Sequence, residues 1–163
     1  MAYSKTTWVN NTTPAINATN LNNMETGIED AHDEIANTTS ISCHNATGSE
    51  IAIRQVCYIS GDQSGVPQIT KAQADAEANA KGMLVMTTAA IANGAAGNCR
   101  ILGKVTGFSG LTPAAIQYLS DDTAGAIEET ATTTSTEIVR IIGYALSATV
   151  LYFNPDISYV EVA

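Results

Sequence analysis

The feature that most constrains this chain is its distal third, Cys99 to Val162. Short β-branched and aromatic runs alternate there with Gly, Pro, Asp-Asp and Thr-rich breaks. That punctuation describes a small all-β unit rather than a helical one. The alternation in Cys99–Thr106 places Cys99, Ile101 and Val105 on one face and Arg100, Leu102 and Lys104 on the other. In Glu137–Leu146 both faces read as apolar: Val139, Ile141 and Ala145 on one, Ile138, Ile142, Tyr144 and Leu146 on the other. A strand of that kind is either central or has its second face against another subunit. Arg140 interrupts this second face and needs a partner.

Upstream, Glu50–Ser60 alternates so that Ile51, Ile53, Gln55, Cys57 and Ile59 share a face, which predicts the first strand of the globular part. Gly61–Gly65 reads as a turn. Thr70–Lys81 reads as a short helix, with Thr70 and Gln73 as a capping box and Gly82 as its stop. Met83–Thr88 reads as a strand and Ala89–Asn98 as a small, Gly-rich loop. The fold class expected is therefore mainly β: a small β-sandwich or barrel-like domain over residues 50–163, with one short additional helix.

Before it comes a different kind of sequence. Leu21, Met24, Ile28, Ala31 and Ile35 are spaced three, four, three, four, the a/d seam of a coiled coil held for about two heptads. Asn17 or Thr19 can cap this helix, expected over residues 19–36. Gly27 weakens it, and two heptads are marginal alone. The alternatives are a seam that joins chains beside an oligomeric β domain, or an amphipathic helix packed on its own domain. Residues 1–18 form a polar arm in which Trp8 and Val9 stand among Thr and Asn. Trp8 either docks on another protein or packs back on its own subunit. Residues 37–49 have the Asn, Thr and Ser content of a linker. Five Asn-x-Thr sequons, at Asn10, Asn11, Asn17, Asn37 and Asn45, follow from that composition.

Composition bears on function mainly by exclusion. Only 14% of residues are charged, and the net charge of −9 argues against nucleic acid and anionic membranes as partners. No stretch predicts a membrane span or an export signal. Cys43, Cys57 and Cys99 are too few and too scattered for a disulfide framework, and buried free thiols are the simple reading; a Cys43–Cys57 bridge is the alternative. His32 and His44 are the two histidines. Cys43-His44 lacks the companion ligands of a zinc site with Cys57 and Cys99, and neither histidine sits in a nucleophile motif. Asp121-Asp122 with Glu128-Glu129 offers carboxylates to Ca²⁺ across a hairpin, or is a solvated set of loop charges. The expectation is a protein without enzymatic activity, cofactor or metal.

Two segments carry a resemblance. Thr6–His32, with Trp8, Asn10, Pro14, Ala15, Asn17, Ala18, Asn20, Leu21 and Asn22, resembles the start of many tailed-bacteriophage fibre and appendage proteins. Gly110–Asp156 is similar to β domains near the C-termini of phage fibres and head-decorating proteins. It carries Gly110-Leu111-Thr112-Pro113, Tyr118-Leu119-Ser120, and Val139-Arg140 with Gly143, Ala145 and Leu146; Ala114 stands where the pattern usually has Gly. The resemblance implies a homotrimeric virion protein, a head fibre or capsid decoration, made in the host cytoplasm and displayed on the virion surface. Its partners would be itself and the major capsid protein or another virion protein. The alternative is a tail fibre or tail-tip protein that binds host surface glycans. Within this reading Trp8, Val9, Pro14 and Ile16 are the attachment residues. Leu21, Met24, Ile28, Ala31, Ile35, Ile138, Ile142 and Tyr144 are the trimer-interface residues.

Overall fold

The computed structural model describes residues 18–163, without the side chains of residues 20 and 33–38. The arm residues Trp8, Val9, Pro14 and Ile16 lie outside this range, as does the side chain of Ile35. The chain divides into two units after Thr39. In the first, a helix, α1, runs over Ala18–Thr39 and so continues three residues past its expected end. The Thr26 hydroxyl donates back to the Asn22 carbonyl at 2.9 Å, the local bond that lets Thr sit inside a helix.

The second unit, Ser40–Ala163, is the β body. Its first half is a closed barrel of five strands: β1 (Ser40–Asn45), β2 (Val56–Gln63), β3 (Val66–Lys71), β4 (Leu84–Thr87) and β5 (Ala96–Arg100). The order is β1-β3-β2-β4-β5, closing back onto β1. β1 is the closing strand. It runs antiparallel to β5 from Ser40↔Arg100 to His44↔Ala96, and parallel to β3 at His44↔Gln68 and Asn45↔Ile69. Residues 37–49 are therefore not a linker. One of their polar residues, Asn45, is fully buried. Its Nδ2 donates to the carbonyls of Ser49 (2.8 Å) and Ile91 (2.7 Å), and its Oδ1 accepts from Thr47 N (3.0 Å) and Thr47 Oγ1 (2.8 Å). A buried amide costs little when all its hydrogen bonds are made.

The expected strand at Glu50–Ser60 starts later, at Val56, because the chain turns at Arg54 with φ +63°. Ile51 instead makes an isolated bridge to Ile91. The β2–β3 hairpin closes on Ser64-Gly65 with φ +54° and +86°, the paired left-handed geometry that matches strand twist. The expected helix at Thr70–Lys81 shrinks to one turn, α2 (Glu77–Ala80). Thr70 and Lys71 belong to β3, and Gln73 donates to the Asp121 carbonyl at 2.7 Å instead of capping a helix. Tertiary pairing overrides a propensity worth only a few tenths of a kcal/mol per residue.

The second half of the body is a sheet of β6 (Gly103–Thr106), β7 (Ile116–Leu119), β8 (Ile127–Glu128), β10 (Ile141–Ser147) and β11 (Val150–Phe153), in the order β6-β11-β10-β7-β8. β9 (Ile138–Val139) pairs with β12 (Val160–Glu161). The run Cys99–Thr106 is thus two strands: the chain leaves the barrel after Arg100 and enters the sheet at Gly103. One core joins the halves. Val56, Leu84 and Met86 from the barrel wall meet Leu119, Ile142, Leu151 and Phe153 from the sheet. All four residues of β4 are buried: Val85 faces the barrel interior, Leu84 and Met86 face this shared core, and Thr87 donates its hydroxyl to the Ala52 carbonyl at 2.7 Å. Fully burying side chains such as Phe153, Leu151 and Ile142 contributes about 1.5–3 kcal/mol each.

Glu137–Leu146 is divided at Arg140, and a bulge lies between Ile141 and Gly143 against β7. Before the bulge Ile138, Arg140 and Ile142 point inward; after it Ala145 does, and Tyr144 and Leu146 point out. One extra residue reverses the face that strict alternation would assign. Gly143 permits this, since a Cβ there would overlap the Tyr152 carbonyl.

Candidate interaction surface

The groups that carry chemistry in the sequence are taken up by the fold. Cys43, Cys57 and Cys99 are free, fully buried, and part of one cluster inside the barrel with Ile51, Ile69, Val85 and Ile91. There is no Cys43–Cys57 bridge. The Cys99 thiol hydrogen-bonds to Cys43, which raises Cys99 and lowers Cys43. Burial pushes Cys57 up to about 12, so it remains a neutral thiol near pH 7. Accordingly, a polar thiol reagent should titrate none of the three cysteines in the native protein and all three in denaturant. Rapid native labelling of even one would show that the barrel opens.

His44 Nε2 lies 3.2 Å from the Gly94 carbonyl, and His32 is exposed on α1. Among the described residues no three His, Cys, Asp or Glu side chains are grouped to hold a metal ion. The distal carboxylates pin loops. Glu129 Oε1 accepts from Thr112 N at 2.6 Å and Gln117 Nε2 at 3.2 Å, and the Thr112 N–H holds Glu129 below the usual carboxylate range. That contact braces the Gly110–Pro113 turn, where Ala114 takes φ +67°, the left-handed backbone that Gly adopts more easily. Glu128 is raised, first by burial and then by its hydrogen bond with Asp121.

The fold also leaves several apolar side chains exposed. On α1, Met24 is 63% and Ile28 50% exposed, Ala31 is exposed and Leu21 half-buried. On the β body, Ile157 is 90% exposed, and Met83, Tyr144, Leu146 and Val160 are also exposed. Ile157, Pro155, Met83 and Ile101 wall a concavity of about 500 Å³, with Arg140 among its lining residues. Ile157 and Asn154–Asp156 also line a neighbouring hollow that includes Tyr144. Among the residues expected at a trimer interface, Tyr144 reaches this surface. Ile138 (1% exposed) and Ile142 (0%) do not: they lie in the chain's own core, and the bulge turns only the residues after it outward. Ile157 and Met83 were not legible as surface residues. Ile157 is a lone apolar side chain in a turn, and Met83 opens the continuous apolar run that leads into β4, so neither has a periodicity to mark its direction.

Arg140 finds its partners in main-chain carbonyls. Its Nε donates to Asp156 O at 3.1 Å, its Nη2 to Gly82 O at 2.7 Å and its Nη1 to Ala80 O. It joins α2, the turn before β4 and the Asn154–Ile157 segment. Burial lowers its pKa, yet a guanidinium stays charged throughout the working pH range.

Among the described residues no helix is long and apolar enough to cross a membrane. Compared with protein-family models, characterised proteins and solved structures, the chain shows no match to any of them.

Proposed function

We propose that this chain is a structural protein of a tailed-phage virion: a homotrimeric capsid-decorating or head-fibre protein. Its N-terminal part attaches it to the particle, and its β body is displayed. The resemblance of Thr6–His32 and of Gly110–Asp156 to phage appendage proteins supports the virion assignment. The observation that carries the assembly is the uncovered seam of α1. Heptad-spaced Met24 and Ile28 are half or more exposed, and covering them with the same seam of two further helices removes that area from water at about 25 cal/mol per Å². Two heptads hold chains together weakly, so the apolar surface at Tyr144, Ile157 and Val160 supplies a second contact between copies. The partners are two more copies of the chain and a capsid or other virion protein.

Light scattering at micromolar concentration should give three times the 17.0 kDa chain mass. Met24→Glu/Ile28→Glu should shift the protein to a single chain without changing its strand content. Wild-type protein at one chain mass would refute the trimer. Trp8→Ala should lower the amount that pellets with particles lacking the protein, while leaving the trimer mass unchanged.

A further inference from the structure

The chain has seven Lys and Arg, and three of them line one small cleft between barrel and sheet. Arg54 comes from the turn before β2, Arg100 from the end of β5 and Lys104 from β6. Thr88, Thr106, Ile53 and Val105 complete the lining, which includes no acidic residue. We propose that this cleft binds a small oxyanion, the carboxylate of an acidic sugar or a phosphate group. The site does not depend on whether the chain serves a virion.

The cleft is built rather than incidental. Arg54 has φ +63°, a backbone conformation that a residue with a Cβ adopts at a cost. Its N–H is tied to Thr87 O at 2.9 Å, and its guanidinium lies 5.7 Å from the centre of the Phe108 ring. Gly107 leaves room for it, since a Cβ there would stand 2.8 Å from Nη1. The guanidinium is therefore held in place before any ligand arrives, which limits the ordering cost of binding. Lys104 and Thr106 are exposed at the rim and add an ammonium and a hydroxyl donor.

Size and charge decide what fits. The cleft holds about 170 Å³, the liquid volume of roughly five or six waters, enough for one anionic group with a small body. Arg54 and Lys104 meet in a lining without an acid, and an oxyanion between them accepts charge-assisted hydrogen bonds. The net charge of −9 does not cancel this attraction. At physiological salt the field of distant carboxylates is screened within about 8 Å, whereas the lining cations touch the ligand. Ile53 and Val105 give an apolar wall suited to the carbon face of a sugar ring.

The test is calorimetric titration of the full-length protein, at constant ionic strength, with inorganic phosphate, with galacturonate and with neutral galactose. Phosphate or galacturonate should bind, and galactose should not. Binding of both assigns the site to the oxyanion itself; galacturonate alone assigns it to an acidic sugar, and phosphate alone to a tetrahedral anion. Lys104→Gln should weaken binding about tenfold, as expected for one lost charge-assisted bond. Arg54→Gln/Lys104→Gln should abolish it. If the double variant does not fold, Lys104→Gln decides alone, because that side chain is exposed on β6. No binding of either anion, or unchanged affinity in Lys104→Gln, would overturn the proposal.

Discussion

A chain that begins at Ser49 should fail to fold, whereas one that begins at Ser40 should melt cooperatively like the full-length protein. The nine residues between them hold β1, which closes the barrel between β3 and β5. Its removal takes away Cys43 of the thiol cluster and Asn45, both fully buried. It also exposes the ladder edges of β3 and β5, an invitation to pair with other chains. Five residue pairs with β5 and two with β3 disappear. At about 1 kcal/mol net for each ladder hydrogen bond, plus the lost burial, the deficit is about 5–10 kcal/mol. That equals the whole stability of an ordinary domain. The core clusters of the body are built from residues from Ile41 onward, so a start at Ser40 keeps them whole. Circular dichroism and urea titration of both truncations would measure this. A Ser49 start with an unchanged midpoint would show that β1 does not hold the barrel closed.

This contrast also marks where the sequence is readable. The β4 strand is visible because continuous apolar character is a local property, whereas the stretch read as a loop after it, Ala89–Asn98, gives its last three residues to β5, where small side chains hide a strand. The barrel is not visible, because β1 is polar on its outward positions and carries a buried Asn, so its composition matches a linker. What makes it a strand is the register it finds more than fifty residues later, at Ala96–Arg100. The surface was misread for a related reason. Alternation places Ile142 and Tyr144 on one face, and only the bulge before Gly143 separates them. That the stretch around Leu21, Met24 and Ile28 is helical was legible because a three-four spacing of apolar residues needs nothing beyond itself. The cationic cleft was not: Arg54, Arg100 and Lys104 are spread over fifty residues, and only the crossing from barrel to sheet after Arg100 brings them together. Arg140 was recognisable as a residue in need of a partner, but not that its partners would be three carbonyls.

Those carbonyls make Arg140 a side chain on which the body depends. Arg140→Ala removes donors from Ala80, Gly82 and Asp156 at once and leaves a void where the guanidinium lay. Breaking a buried, hydrogen-bonded charge site in this way should cost about 3–5 kcal/mol. Arg140→Lys should recover part of it, since one compact ammonium cannot reach three acceptors that a planar fork spans. Arg140→Met separates the two components of the loss. It refills the volume and spares the desolvation of a charge, but leaves the carbonyls without their donor. The expected order of urea midpoints is wild type, then Lys and Met, then Ala. The Ala variant should also loosen the Asn154–Ile157 segment, because Arg140 Nε holds Asp156 O. Amide exchange there should rise before exchange in β10 and β11 does. If Arg140→Met proves as stable as the wild type, with unchanged exchange at Asn154–Ile157, the side chain acts by filling space and its three hydrogen bonds contribute nothing to the fold.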